Sequence, residues 1–167
     1  MRVSGIHPIA RIIEECFESF RDEKDSGPLT LTHIYLLVGV SMPLWMHPTD
    51  DISSLAASSG IISIGFGDTA ASVIGNLIGS HRWSRSKKTI EGTIGAVIAQ
   101  ILSSVWLLNY FNESTDILTM QYIIPIIIIS IVVAVIEAKT SQIDNLILPL
   151  YHYLLVAIFK LTWNKKL

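Results

Sequence analysis

The chain has 167 residues, 50% of them hydrophobic and only 16% charged, and its mean hydropathy is +0.52. A soluble domain carries about 25% charged residues, so this composition argues for a membrane helical bundle. The net charge of −2 supplies no global positive field for nucleic acid, and a lone cysteine, Cys16, excludes an internal disulfide framework or a multi-cysteine zinc site.

In residues 1–21, Ile9, Ile12, Ile13, Cys16, Phe17 and Phe20 fall near helical spacing. They predict a short surface helix or the end of a membrane helix. Pro8, Glu14 and Glu15 interrupt the segment and argue against a cleavable signal peptide, so insertion is expected to use later segments. Residues 21–28 are a charged loop, and residues 1–30 form an N-terminal unit.

Residues 31–163 form the membrane region. The first predicted span is 31–47, with Trp45 near its exit as an interfacial aromatic. Residues 52–66 are apolar but short for a span of about 20 residues. The helix is expected to run on past Gly67 with a break or kink. Residues 80–89 are a polar loop carrying Arg82, Arg85, Lys87 and Lys88. Residues 92–110, 119–136 and 146–163 read as three further spans, separated by a turn at 111–118 and a polar island at 137–145. The fold class is therefore an all-α polytopic transmembrane bundle of about five segments, ending in a basic tail at 164–167. The isoleucine run around Pro125 would favour strand in water, but in a bilayer the backbone must satisfy itself internally, which favours helix.

The four cations of loop 80–89 place it on the cytoplasmic side. Two more crossings return the island 137–145 to that side and put Lys165 and Lys166 on the other, against the positive-inside tendency. Asn112-Glu113-Ser114 matches a glycosylation sequon close to the membrane on the predicted lumenal side, and is expected to be unused.

The chemistry concentrates between Gly67 and Thr93. Gly67, Ala71, Gly75 and Gly79 recur every four residues, a small-residue stripe that permits close helix packing. Asp68, Ser72 and Asn76 make a polar stripe beside it. Packing alone accounts for the glycines, but an isolated acid at membrane depth is costly and marks a functional candidate. Lys87 and Lys88 suit phosphate oxygens, and Thr89 can donate a hydroxyl hydrogen bond. The plainer reading is that these cations only set topology. Glu91, followed by Gly92 at the mouth of a span, argues against it, as a group able to bind a cation or accept a proton. Trp83 either stacks on a base or marks the interface.

In the island, Glu137, Ser141 and Asp144 are expected to share one helical face. Asp68, Glu137 and Asp144 would suit Mg²⁺, which takes a few carboxylates plus substrate phosphates. A capping, solvated turn is the alternative for the island. The histidines, His7, His33, His47, His81 and His152, are scattered and receive no role. There is no G-x-x-x-x-G-K-[ST] motif, which disfavours a soluble P-loop kinase.

The run Asp68 to Gly79, with Trp83 and Lys87-Lys88-Thr89-Ile90-Glu91-Gly92-Thr93, resembles the nucleotide-binding signature of dolichol kinases. Residues 20–35 and 141–150 resemble that family too. The likeness covers about residues 20–155 and only the C-terminal third of a typical member. More distantly, the order of acid, glycines, lysines and glutamate is similar to phytol kinases and CDP-diacylglycerol synthases.

The resemblance implies a multi-pass endoplasmic reticulum enzyme that transfers the γ-phosphate of CTP to dolichol at the cytoplasmic face, for protein glycosylation. It implies a CTP-binding loop at about 80–95 using Trp83, Lys87, Lys88, Thr89, Glu91, Gly92 and Thr93, with Asp68 and Glu91 catalytic. A CTP-using cytidylyltransferase of the CDP-lipid type and an inactive membrane module stay open as alternatives.

Overall fold

The computed structural model describes residues 32–47, 54–84, 86–111, 120–140 and 144–164, and the side chains at 32, 54, 120, 121, 144 and 161–164 fall outside that description. The expected N-terminal helix, the charged loop 21–28, the sequon at Asn112 and the tail lysines lie outside the described residues.

Among the described residues, six α-helices and one π-helical stretch form the bundle. They are α1 (Thr32–Met46), α2 (Ser54–Ala57), the π segment (Ile61–Asp68), α3 (Thr69–Ile78), α4 (Ile90–Tyr110), α5 (Met120–Lys139) and α6 (Asp144–Asn164). Three stretches are long and apolar enough to cross a membrane: Ile61–Ile78, Ile90–Tyr110 and Tyr122–Lys139. Two shorter apolar helices, His33–Met46 and Asn145–Lys160, accompany them. The all-helical membrane bundle expected from composition is thus the observed class. Pro43, Pro125 and Pro149 sit inside helices, as they do in membrane helices whose neighbours re-satisfy the freed backbone groups.

α4 shows how the bundle is sided. Ile94, Ile98, Leu102 and Trp106 are exposed along its outer face, while Gly92, Ala96, Gln100, Ser103 and Ser104 are buried on its inner face. Apolar outside and small or polar inside is the pattern of a helix solvated by lipid, where close packing and internal hydrogen bonds hold helices together. Ser103 donates to the Gln100 carbonyl at 3.1 Å. Ser59 and Ser63 likewise donate to carbonyls of their own preceding turns, at 2.8 and 2.7 Å. A buried apolar cluster including Leu55, Ile62, Leu107, Ile129, Val133, Leu148 and Val156 joins α2, the π segment, α4, α5 and α6.

The helix runs on past Gly67 as expected, and its irregular winding lies largely before that point, as the π segment Ile61–Asp68. The Thr69 N–H bonds to the Ile64 carbonyl, five positions back, before ordinary α-helix resumes. Ile62, Ser63, Ile64 and Gly67 are its buried residues. The stretch connects a part packed on α1, where Gly60 lies against the Val40 backbone, to a part packed on α4.

The polar island is shorter than expected. Helix α5 runs on through Glu137 to Lys139 and α6 begins at Asp144. Glu137 and Asp144 therefore lie on different helices, and Ser141 falls outside the described residues. Glu137 reads as polar in sequence but is only 3% exposed, because Lys88 reaches it.

Candidate functional site

Helix α4 starts where it does because Thr89 caps it. Thr89 has extended backbone angles, and its hydroxyl accepts from the Gly92 N–H at 3.2 Å. This occupies one of the first-turn donors that a helix leaves without an intrahelical partner. Glycines then let α3 come close. A Cβ on Gly92 would lie 2.6 Å from the Ala71 carbonyl oxygen and 3.3 Å from the Gly75 Cα. The small-residue stripe thus does pack helix on helix, and the polar stripe beside it borders a cavity.

That cavity, about 200 Å³, is bounded by α3, the loop 79–89, the start of α4 and the end of α5. Along α3 it is lined by Asp68, Ala71, Ser72, Gly75 and Asn76, and from the other sides by Lys87, Lys88, Thr89, Gly92, Thr93 and Glu137. Asp68 and Asn76 are eight residues apart on one helix face, so the lining runs about 12 Å along the helix axis. Its lining holds two cations, Lys87 and Lys88, and two carboxylates, Asp68 and Glu137.

Lys88 joins the loop to α5. Its Nζ donates to the Glu137 carbonyl at 2.8 Å and lies 3.6 Å from Glu137 Oε1. A cation on a last-turn carbonyl also complements the negative end of the helix dipole. The loop and the end of α5 therefore share one face of the bundle.

The loop itself is fastened. Trp83 Nε1 donates to Thr93 Oγ1 at 2.9 Å, and Thr93 Oγ1 donates to the Thr89 carbonyl at 3.0 Å. Trp83 is half-buried and absent from the cavity lining. Glu91 is absent from it as well. Its carboxylate accepts from the His81 backbone N–H at 3.1 and 3.2 Å and meets His81 Nδ1 at 2.6 Å. His81, which carried no assignment by sequence, is thus part of the loop's structure. Nothing in its local pattern signals this, because its partner lies ten residues on and across a turn.

The structure brings together Asp68, Lys87, Lys88, Thr89, Gly92, Thr93 and Glu137, and leaves Trp83 and Glu91 outside the cavity. Asp144 opens α6, and its side chain lies outside the described ones. Among the described residues no group of three or more His, Cys, Asp and Glu side chains forms a metal site. Two carboxylates, those of Asp68 and Glu137, do border one cavity.

These features define a polytopic helical membrane protein with a lysine-and-carboxylate cavity at one end of its bundle. The profile of the cytidylyltransferase family matches residues 10–158, and the chain belongs to that family. It is also similar to dolichol kinases from Mus musculus, Bos taurus and Homo sapiens, each 41% identical over 165 residues. Each alignment covers 93% of this chain and 30% of the relative, so the chain spans about a third of the length of the relatives it matches. No solved structure matches the chain.

Proposed function

We propose that this chain carries the nucleotide site of a dolichol kinase, which transfers the γ-phosphate of CTP to the hydroxyl of dolichol at the cytoplasmic face of the endoplasmic reticulum membrane. The product, dolichyl phosphate, serves protein glycosylation. The observation that carries the reading is the cavity's lining, which brings two lysines, Lys87 and Lys88, together with two carboxylates, Asp68 and Glu137. The names of the similar proteins supply the substrate.

In this reading Lys87 and Lys88 neutralise the CTP phosphates, and Thr89 and Thr93 offer hydroxyls beside them. Gly92 lets α3 close against α4 and so shapes the cavity beside the start of α4, where the helix dipole favours negative charge. Asp68 and Glu137 fit Mg²⁺, which is held by one or two carboxylates together with substrate phosphates. When bound, that ion would offset charge on the β- and γ-phosphates. The lipid hydroxyl enters from the bilayer side and attacks the γ-phosphorus. A new lipid O–P bond forms, the bond to the β-phosphate oxygen breaks, and CDP leaves. Asp68 takes the hydroxyl proton. Most of the acceleration comes from positioning and charge neutralisation, as phosphoryl transfer requires.

Membership in the cytidylyltransferase family favours a second reading, in which CTP attaches its cytidylyl group to a phospholipid acid and releases pyrophosphate. One experiment separates the two. Membranes holding this chain, or its Asp68→Asn variant, are given dolichol with CTP labelled at either the α- or the γ-phosphate. Lipid label from γ-CTP alone, lost in the variant, supports the kinase. Lipid label from α-CTP with phosphatidic acid supports the cytidylyltransferase.

A further inference from the structure

We infer that Glu91 is a positioning residue that acts through His81 to hold the nucleotide loop, and that it does not touch substrate. This rests on the nucleotide reading of the cavity given above.

The Glu91 carboxylate is held chiefly by His81, with the Ser80 and Glu91 backbone N–H groups also favouring its charged form. Both carboxylate oxygens accept from the His81 backbone N–H, at 3.1 and 3.2 Å, and Oε1 lies 2.6 Å from Nδ1 of its ring. The neighbouring Ile90 N–H donates to the His81 carbonyl at 2.8 Å. The N–H, the C=O and the ring of one residue thus all end on the first two residues of α4. One step inward, Arg82 and Thr89 form an antiparallel bridge, and the Trp83 N–H donates to the Lys88 carbonyl at 3.0 Å. The two arms of the loop are zipped at its neck, with Lys88 on the innermost rung and Lys87 beyond it.

Location argues the same way. The His81 side chain is 77% exposed and that of Glu91 22%, and neither lines the cavity. A proton acceptor for the lipid, or a ligand for a phosphate-bound cation, would have to be inside it. A carboxylate accepting from a backbone N–H and a ring N–H makes charge-assisted bonds, about twice as strong as neutral ones. That is suited to closing a loop whose lysines must be presented in a fixed place before the nucleotide arrives, because misplaced binding groups lose rate steeply.

The test uses the whole chain in membranes, with Glu91→Ala, Glu91→Gln, His81→Ala and the double variant His81→Ala/Glu91→Ala. Two properties are measured: the KM for CTP and kcat, and the rate of tryptic cleavage after Arg82, Lys87 and Lys88. Because the two groups act as one unit, each alanine variant is expected to raise the KM about tenfold with kcat within about twofold, and the double variant to be no worse than the weaker single one. Glu91→Gln keeps an oxygen that can accept from the His81 N–H, and should lose less than Glu91→Ala. Both alanine variants should be cut faster by trypsin.

A hundredfold fall in kcat for Glu91→Gln, with His81→Ala like wild type, would show that Glu91 acts on substrate and would overturn the inference. Unchanged tryptic cleavage in both alanine variants would overturn it too. If the wild-type chain neither takes up CTP nor phosphorylates lipid, the proposed function fails, and the tryptic comparison still decides whether the clasp holds the loop.

Discussion

The Cα of Gly67, inside the π segment, lies directly against the side-chain amide of Gln100 on α4. A Cβ built on Gly67 would stand 2.5 Å from Gln100 Nε2. Gln100 is fully buried, and neither of its amide atoms has a hydrogen-bond partner among the described residues. A buried amide without a partner costs about 1–3 kcal/mol. Gln100→Leu, of similar volume, should therefore leave thermal stability in detergent unchanged or raised. A clear drop in the melting midpoint would show that the amide is held by a polar partner. Gly67→Ala should lose about 1–3 kcal/mol by overpacking, and adding Gln100→Ala should return part of it.

Gly92 is packed differently, because its neighbours cannot swing aside. The added Cβ of Gly92→Ala meets the Ala71 carbonyl oxygen and, at 2.9 Å, Thr89 Oγ1. α3 and α4 would have to part, at about 1–3 kcal/mol. The cavity they border would change shape, and the KM for CTP should rise. Gly65→Ala is the control. Its Cβ meets only the Ile61 side chain, at 3.6 Å, and alanine is the better helix former by about 1 kcal/mol. It should melt at the same temperature as wild type or above it.

Lys88 and Glu137 make a pair of unequal burial, 32% and 4% exposed at the side chain. Lys88→Ala leaves the carboxylate in place without its cation. The expected destabilisation is about 1–3 kcal/mol, below the cost for a wholly buried pair because Lys88 is partly solvated. Lys88→Ala/Glu137→Gln should recover most of that stability and none of the CTP affinity. Recovery of both in the double variant would remove Lys88 from the phosphate site.

Trp83→Phe removes one hydrogen bond, from Trp83 Nε1 to Thr93 Oγ1, and keeps a ring. A single neutral hydrogen bond contributes about 0.5–1.5 kcal/mol, so the KM for CTP should rise by a factor of about 2–10. A larger loss, appearing with CTP and not with other nucleoside triphosphates, would instead mean that the ring stacks on the base.

Much of the bundle is legible in the sequence, because lipid-soluble helices announce themselves by length and hydropathy. The spans around Ile98 and Ile128 fall where composition puts them, whereas the segments expected at 31–47 and 146–163 form shorter apolar helices. Part of the cavity lining is legible too, because Asp68 is an acid inside an apolar stretch and the lysine pair and Gly92 follow it closely in the chain. Three features are not legible. Glu137 looks like part of a loop, and its ion pair with a lysine 49 positions earlier has no local signal. Glu91 gives no local sign of its contact with His81. Gln100 stands in an apolar run with nothing local to mark it as buried and unpartnered. Each depends on a partner distant in the chain, and periodicity records only neighbours.

The π winding of Ile61–Asp68 has one more consequence. Each π turn takes up about one residue more than an α turn, and one residue corresponds to about 100° of helix rotation. The segment is therefore a phase shifter. It lets the chain present one azimuth to α1 at Gly60 and an independently chosen azimuth to α4 from Asp68 onward. Asp68, Ser72 and Asn76 face the cavity only while that offset is kept. Deleting one residue from the wound stretch would turn all three away from the lysines together, although none of them would have been changed.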